Sequence, residues 1–195
     1  MGVRVMCGRY YIEIDEKELR DICSEVEKQG REYPGQLTLK LSGEIFPTDI
    51  VPAQTGAGQY RAMKWGFPGF SGRPIINARS ETALTKPMFR ESMLERRCVV
   101  PASGYYEWQR DGGKKTKYRL YLPGQPLYLA GCYRMEKNNS VAQFVILTRP
   151  AGNGLEAVHD RMPIILPQRL ISAWLHESPS VIAEALTELR FSKAS

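Results

Sequence analysis

The chain of 195 residues is long enough for one globular domain, and 43% of its residues are hydrophobic. Its 27 lysines and arginines exceed its 21 aspartates and glutamates, and the resulting charge of +6 suits a polyanionic partner without requiring one. Four dispersed cysteines and two histidines exclude zinc-ligand spacing, and no apolar run is long enough for a membrane-spanning helix. We therefore expect a single cytoplasmic domain over residues 1–195, with reduced thiols, no metal and no other cofactor.

The first predicted elements are a strand and an amphipathic helix. Residues 7–14 alternate in polarity and predict the strand. The helix is predicted over residues 15–30, because Asp15 can cap its start, Glu18 follows three residues later and Gly30 stands at its end. The predicted apolar face comprises Leu19, Ile22, Cys23 and Val26.

The next part of the chain is predicted to change from irregular structure to a strand and then to a helix. Two prolines and a glycine-rich end predict an ordered irregular crossing over residues 43–58, which leads into a strand over residues 59–67. Residues 71–97 are predicted as a loop followed by a helix, and Pro87 limits how far upstream that helix can extend.

The second half of the chain is predicted to be rich in strands. Runs of β-branched and aromatic residues occupy residues 98–110, 116–123, 126–135 and 141–149. Turn signals separate these runs and predict an antiparallel meander. Two helices are predicted at residues 167–177 and 178–190, the second capped by Ser178 or Ser180. The predicted class is α+β, with a mostly antiparallel, barrel-like sheet surrounded by helices.

Cys7 directly follows an internal methionine, Met6. A lone cysteine is commonly a small buried hydrophobic residue, but here Gly8 gives access to the backbone and Arg9 offers a cation that favours the thiolate. If Met6 were the start and were removed, Cys7 would carry a free α-amine and a thiol on adjacent carbons. This pair traps aldehydes.

Two further polar positions lie at or within predicted strands. Asn77 and Arg79 follow apolar residues at the predicted end of a buried strand, where functional groups tend to lie; the alternative is a helix start capped by Ser80. Glu107 lies inside an apolar and aromatic strand. It points either to solvent or inward, where burial would raise its pKa and suit it to general acid–base work.

A histidine beside charged residues forms the fourth candidate. His159 precedes Asp160 and Arg161, and the following Met162-Pro163 interrupts regular structure. The other histidine, His176, lies in a predicted amphipathic helix and is expected at the surface.

These candidates belong to an ordered set of five segments: Cys7 to Tyr10, Trp65-Gly66, residues 77–82, residues 101–108 and residues 159–163. Their order and approximate spacing resemble the SOS-response-associated peptidase (SRAP) family, whose members protect abasic sites in single-stranded DNA. The resemblance extends over most of the chain.

The resemblance implies a covalent reaction at an N-terminal cysteine. In the family, the residue that matches Cys7 is exposed by methionine removal and closes a thiazolidine ring on the aldehyde of an abasic deoxyribose. Asn77 would then hold the sugar or the amine, Glu107 would shuttle protons, and His159 would help to open the sugar or reverse the crosslink. The implied partner is single-stranded DNA with abasic sites, bound by a monomer in the cytoplasm or at the nucleoid, with no membrane.

The resemblance also implies a set of DNA contacts. Arg79 and Arg161 would bind the phosphates on either side of the lesion, and Arg9 would contact the DNA as well. Pro47 and Met88 resemble the apolar wedge that kinks DNA, while Trp65 and Trp108 would line the site. For those four apolar and aromatic residues, the alternative is ordinary core packing.

Two departures from the family pattern leave alternatives open. Residues 1–6 precede Cys7, so they are either an alternative start or a propeptide that the protein removes; the C-terminus also ends earlier than in many members. A cysteine-type autopeptidase without a DNA role and a non-catalytic single-stranded nucleic-acid-binding module remain the competing functions.

Overall fold

The computed structural model describes residues 8–32, 37–136 and 141–194. The strands within these residues are β1 (Arg9–Ile12), β2 (Gly43–Ile45), β3 (Ile50–Gly56), β4 (Gln59–Trp65), β5 (Asn77–Arg79), β6 (Arg97–Ala102), β7 (Gly104–Asp111), β8 (Lys114–Tyr121), β9 (Leu127–Arg134), β10 (Gln143–Pro150), β11 (Arg161–Pro163) and β12 (Arg190–Lys193). The α-helices are α1 (Lys17–Glu32), α2 (Ser80–Ala83), α3 (Pro87–Glu95) and α4 (Ile171–His176). Over these residues no helix has the length and apolar character needed to cross a membrane.

Five of the strands close into a barrel. The ring runs β10-β4-β3-β6-β9 and returns to β10; the β10–β4 pair is parallel and the other pairs are antiparallel. Short strands β5 and β11 pair with β10 beside this ring. Closure leaves the ring without free edges, and the predicted barrel-like α+β class is confirmed.

A second, antiparallel sheet has the order β12-β8-β7-β1-β2. The chain crosses to it from the barrel at Ser103, whose N–H donates to Tyr11 O and whose Oγ accepts the Glu13 N–H. Gly104 then begins β7 directly against the Tyr11 side chain, and a Cβ at this position would collide with the Tyr11 hydroxyl. Glycine is therefore required where the two sheets diverge.

Two hydrophobic cores follow from strand alternation. One is formed by Trp65, Val100, Leu129 and Phe144 of the barrel together with Tyr10 and Tyr105 of the second sheet, all of which are buried. The other packs the opposite face of the barrel strands, at residues such as Val99 and Ala130, against Met93 of α3 and Trp174 of α4. Strands β6, β9 and β10 are thus buried on both faces over most of their length.

Helix α1 confirms the predicted apolar face but shifts its ends. Leu19, Ile22, Cys23 and Val26 are buried. The helix begins at Lys17, with the Arg20 N–H donating to Glu16 O, so Asp15 is not its N-cap. It also continues past Gly30, because glycine permits helical backbone even though it lowers helix propensity.

Three other predictions are corrected by the pairing of strands. Residues 43–58 contain β2 and β3 rather than irregular structure; within β3, Pro52 lies opposite Ala62 of β4, and β6 pairs at Gln54. The predicted meander is split, since β7 and β8 lie in the second sheet while β6, β9 and β10 lie in the barrel. Residues 178–190 form only a short 3₁₀ turn, capped by Ser178, before β12.

Candidate active site

A cavity of about 630 Å³ lies between β7, the turn after β2 and the segment before β11. Its walls include Gly8, Pro47, Glu107, Trp108 and His159. Among the residues that the structure describes, no group of three or more histidine, cysteine or acidic side chains is arranged to hold a metal ion. The side chains that line the cavity include two proton-transfer groups, Glu107 and His159, and the aromatic ring of Trp108.

Glu107 points inward from β7. Its side chain is on the same face of the strand as Tyr105, which packs in the core, and Glu107 itself is 3% exposed. The adjacent residues Tyr106 and Trp108 are half-buried on the other face. The alternation of the strand thus places the Glu107 carboxylate at the cavity wall.

His159 lies on the opposite wall, after a 3₁₀ turn at Leu155–Ala157. The residue is 9% exposed, and its Nδ1 lies 3.1 Å from the Arg161 N–H and 2.9 Å from Asp160 Oδ1. One ring nitrogen either accepts from Arg161 through its lone pair or, when protonated, donates to Asp160. The two contacts need different states of Nδ1, so this nitrogen has a partner whether or not it carries a proton.

Gln109 connects the two walls. Its Nε2 donates to Ala157 O at 2.8 Å, which joins β7 to the turn that carries His159. Gln109 was not predicted from the sequence, although its position two residues after Glu107 on an alternating strand places both side chains on the same face.

The mouth of the cavity is surrounded by Arg9, Phe46 and Trp108. The Arg9 guanidinium lies 4.3 Å from the centroid of the Phe46 ring and 5.3 Å from that of Trp108, and it forms an ion pair with Glu44 at 3.0 Å. Burial acts to raise the pKa of Glu44, but hydrogen bonds and charge from Arg9 and Lys117 outweigh it and hold this pKa below its usual value. Phe46, which is 41% exposed, was not predicted from the sequence.

A tight turn holds Phe46 and Pro47 at this mouth. The Asp49 N–H donates to Phe46 O at 3.1 Å, and Asp49 Oδ2 accepts the Phe46 N–H at 2.8 Å. Thr48 completes the turn with φ of 80°, a left-handed conformation that is rare for a β-branched residue. The turn thus presents Pro47 to the cavity at a cost in backbone strain.

Arg161 lies in an internal ion pair with Glu81. It is 8% exposed, donates to both carboxylate oxygens of Glu81 and also donates to Thr148 O at 2.8 Å. Hydrogen bonds from Arg161 lower the pKa of Glu81 from 4.5 to about 2, although partial burial opposes them. The predicted phosphate contact stays a prediction; without DNA, Arg161 forms an internal ion pair, because β10 and β11 bring distant parts of the chain together.

Trp65 packs in the core. It is completely buried, its indole N–H donates to Ile76 O at 3.0 Å, and its ring packs with Tyr10 and Phe144. Its predicted place at the DNA site stays a prediction. The alternative of core packing is the one that the structure supports.

The remaining candidates lie outside the cavity wall or outside the described residues. Asn77 is half-buried on β5 opposite Ile146, and Arg79 is exposed at the start of α2. Met88 is half-buried against the second core. Cys7 lies outside the residues that the structure describes, and Gly8, which follows it, lines the cavity.

Comparison with known proteins gives consistent matches over most of the chain. A family model described as SOS response associated peptidase (SRAP) matches residues 6–194. The abasic site processing protein YedK of Escherichia coli is 31% identical over 191 residues, which cover 90% of this chain and 82% of YedK. The abasic site processing protein YoqW of Bacillus subtilis is 36% identical over 154 residues, covering 69% of each chain.

Solved structures share the fold at lower identity. A protein from Bordetella bronchiseptica aligns with a TM-score of 0.75 at 21% identity, covering 97% of this chain and 100% of the other. A protein from Bacteroides thetaiotaomicron aligns with a TM-score of 0.74 at 23% identity, covering 97% and 92%.

Proposed function

The chain belongs to the SOS response associated peptidase (SRAP) family, and from this premise we propose that it processes abasic sites in single-stranded DNA through a covalent bond to Cys7. Two relatives that match it over most of its length are named abasic site processing proteins. The observation that carries the proposal is the meeting of two buried proton-transfer groups, Glu107 and His159, on one cavity that Gly8 also lines. Gly8 directly follows Cys7 in the sequence.

The proposed reaction needs the α-amine and the thiol of Cys7 together. The amine adds to the aldehyde carbon of the ring-opened sugar, and the adduct loses water to give an imine. The thiol sulfur then adds to the imine carbon while its proton passes to the nitrogen, which closes a five-membered thiazolidine. One water molecule is lost overall, and ring closure removes the imine that would promote strand cleavage by β-elimination.

Glu107 and His159 supply proton transfer in this scheme. Glu107 takes a proton from the attacking amine and returns it to the departing hydroxyl. His159 opens the sugar ring, and its Nδ1 has a partner both when neutral and when protonated, through Arg161 N–H and Asp160. Asn77 is proposed to hold the sugar or the amine.

DNA contacts are proposed at and beyond the cavity mouth. Arg9, Trp108 and Pro47 line the cavity and would contact the nucleotides beside the lesion, and the exposed Arg79 would bind a phosphate. Arg161 would reach a phosphate only after its ion pair with Glu81 opens.

Removal of residues 1–6 is proposed as a preparatory step, because an amide nitrogen at Cys7 cannot form the imine. The Cys7 thiol would attack the Met6 carbonyl; the Met6–Cys7 C–N bond would break, the thiol proton would pass to the freed α-amine, and a thioester would form. Water would then hydrolyse the thioester to release residues 1–6 with a new carboxylate and restore the thiol. Incubation of the full chain, followed by intact mass, tests this step. Loss of residues 1–6 that persists in Cys7→Ala and Glu107→Ala variants would indicate a contaminating protease.

The covalent function is tested with a form of the chain that begins at Cys7, mixed with single-stranded DNA that contains an abasic site. We expect an adduct that survives denaturing electrophoresis, and we expect Cys7→Ala to abolish it. The matched control is the same form with an acetylated N-terminus, which keeps the thiol and removes the amine. An adduct of equal yield from the alanine variant or from the acetylated form would contradict the thiazolidine.

A further inference from the structure

The outer face of β7 and β8 alternates cationic and aromatic side chains. On β7 this face carries Tyr106 and Trp108, and the register places Arg119 opposite Tyr106 and Lys117 opposite Trp108. Tyr121 follows on the same face of β8. We call these five residues the cation–aromatic strip; all are half-buried, so each keeps part of its side chain in solvent.

Contacts within the strip hold its aromatic rings next to cations. Lys117 Nζ lies 3.8 Å from the Tyr106 ring centroid and 5.8 Å from that of Trp108. The Arg119 guanidinium lies 5.0 Å from the Tyr121 ring and 4.9 Å from the ring of Tyr11, which is buried beneath the strip. The positions of these side chains are thus set before any ligand arrives.

The charge of this face is positive after its ion pairs are counted. Arg9, Arg110, Lys115, Lys117 and Arg119 face two acids, Glu13 and Glu44. The Arg119–Glu13 pair spans 3.4 Å with side chains 38% and 46% exposed. Because exposed ion pairs contribute little stability, a phosphate can replace Glu13 at Arg119 at small cost.

The strip continues directly from the cavity. Trp108 belongs to both, and Arg9 and Lys115 lie against its ring while lining the cavity. A chain of nucleotides that leaves the cavity past Trp108 therefore meets Lys117 and Tyr106 next, and then Arg119 and Tyr121. Side chains that alternate along a strand are about 7 Å apart, so the strip offers contacts in repeated steps.

We propose that the cation–aromatic strip binds the undamaged single-stranded DNA that flanks the abasic site, beyond Trp108, without regard to base sequence. Tyr106 and Tyr121 stack on bases, while Lys117 and Arg119 bind phosphates. The inference rests on the proposed function for the identity of the ligand. It adds a second binding region outside the cavity that determines how much flanking strand is bound.

Binding to undamaged oligothymidylates of roughly 6 and roughly 20 nucleotides separates the strip from the cavity. Fluorescence anisotropy at several salt concentrations is measured for the protein and for the variants Lys117→Ala, Arg119→Ala and Tyr106→Ala. We expect Tyr106→Ala to weaken binding of the long oligonucleotide about fivefold or more, with little effect on the short one. Each cation variant should lower the salt slope for the long oligonucleotide by roughly 0.7.

Arg169→Ala is the matched control. Arg169 also pairs with an exposed glutamate, Glu184, at 2.9 Å, and its loss changes the net charge by the same amount. The control should keep the salt slope of the unmodified protein. If Arg119→Ala and Arg169→Ala change the salt slope equally, DNA binding depends only on the net charge of the protein and the proposal is overturned.

Glu13→Gln provides a variant with the opposite expected sign. It removes the competitor of the phosphate at Arg119, so we expect tighter binding of the long oligonucleotide. Unchanged or weaker binding would overturn the proposal even if the alanine variants fold poorly.

Adduct formation on a short abasic oligonucleotide, with the form that begins at Cys7, is followed in parallel. If adducts form normally but the strip variants bind the long oligonucleotide as tightly as the control does, the proposed role of the strip is wrong and the covalent function stands. If no adduct forms but binding still depends on the strip, the covalent function is wrong and the role of the strip stands.

Discussion

Replacement of Glu81 by glutamine tests how much its partly buried ion pair with Arg161 stabilises the fold. Arg161 is 8% exposed and meets the carboxylate of Glu81 through two hydrogen bonds, one of which is 2.8 Å long. These bonds draw the pKa of Glu81 from 4.5 to about 2. In the folded protein the carboxylate is therefore favoured over the protonated acid.

The size of the effect follows from this pKa. A decrease from 4.5 to about 2 corresponds to an upper limit of about 3.4 kcal/mol of stability at neutral pH. Because the Glu81 side chain is 44% exposed, solvent screens the pair and we expect roughly 1.5 kcal/mol. For a chain of this length, a loss of that size lowers Tm by about 3–6 °C.

The effect should depend on pH in a defined direction. The pKa of Glu81 is lower in the folded than in the unfolded chain, so its contribution is present above about pH 4.5 and is lost as pH falls toward about 2. Urea unfolding should give a difference between the protein and Glu81→Gln of roughly 1.5 kcal/mol at neutral pH, and this difference should shrink toward zero as the pH falls from about 4.5 to about 2.

Glu184→Gln is the matched control, because the Arg169–Glu184 pair is exposed at 65% and 57%. Its cost should stay below about 0.5 kcal/mol. Equal costs for the two glutamine variants, or a cost for Glu81→Gln that does not change with pH, would refute the assignment of a stabilising ion pair.

Two further predictions concern the cavity. Glu107→Gln should slow adduct formation by about 10²- to 10⁴-fold in single-turnover reactions of the form that begins at Cys7, because it removes the proposed proton carrier. The control is Glu156→Gln, on an exposed part of the same cavity, which should change the rate little. Equal slowing by both variants would contradict the role assigned to Glu107. Thr48→Gly should raise the free energy of unfolding by about 0.5 kcal/mol, since relief of roughly 1–2 kcal/mol of left-handed strain exceeds the entropic cost of glycine. Destabilisation by more than about 1 kcal/mol in urea unfolding would show that the Thr48 side chain stabilises the turn.

Local patterns in the sequence predicted many elements well, and errors arose where distant segments pair. The apolar face of α1 and the strand at residues 59–65 follow from periodicity alone. The division of residues 97–111 into β6 and β7 does not, because the chain changes sheets at Ser103 through bonds to Tyr11 and Glu13. The terminal strand β12 was missed for the same reason, since its pairing with β8 is a long-range contact.

For the candidate site, the types and order of the residues were enough to indicate the resemblance to the family and to select Glu107 and His159. The direction in which these two side chains point depends on contacts between distant parts of the chain. Side chains alternate between the two faces of a strand, so the sequence places Glu107 on one face of β7 but does not show which face is buried. Glu107 faces inward because the second sheet packs against the barrel. Likewise, Arg161 is internal because β11 and the start of α2 meet across β10, which brings it to Glu81 from 80 residues away.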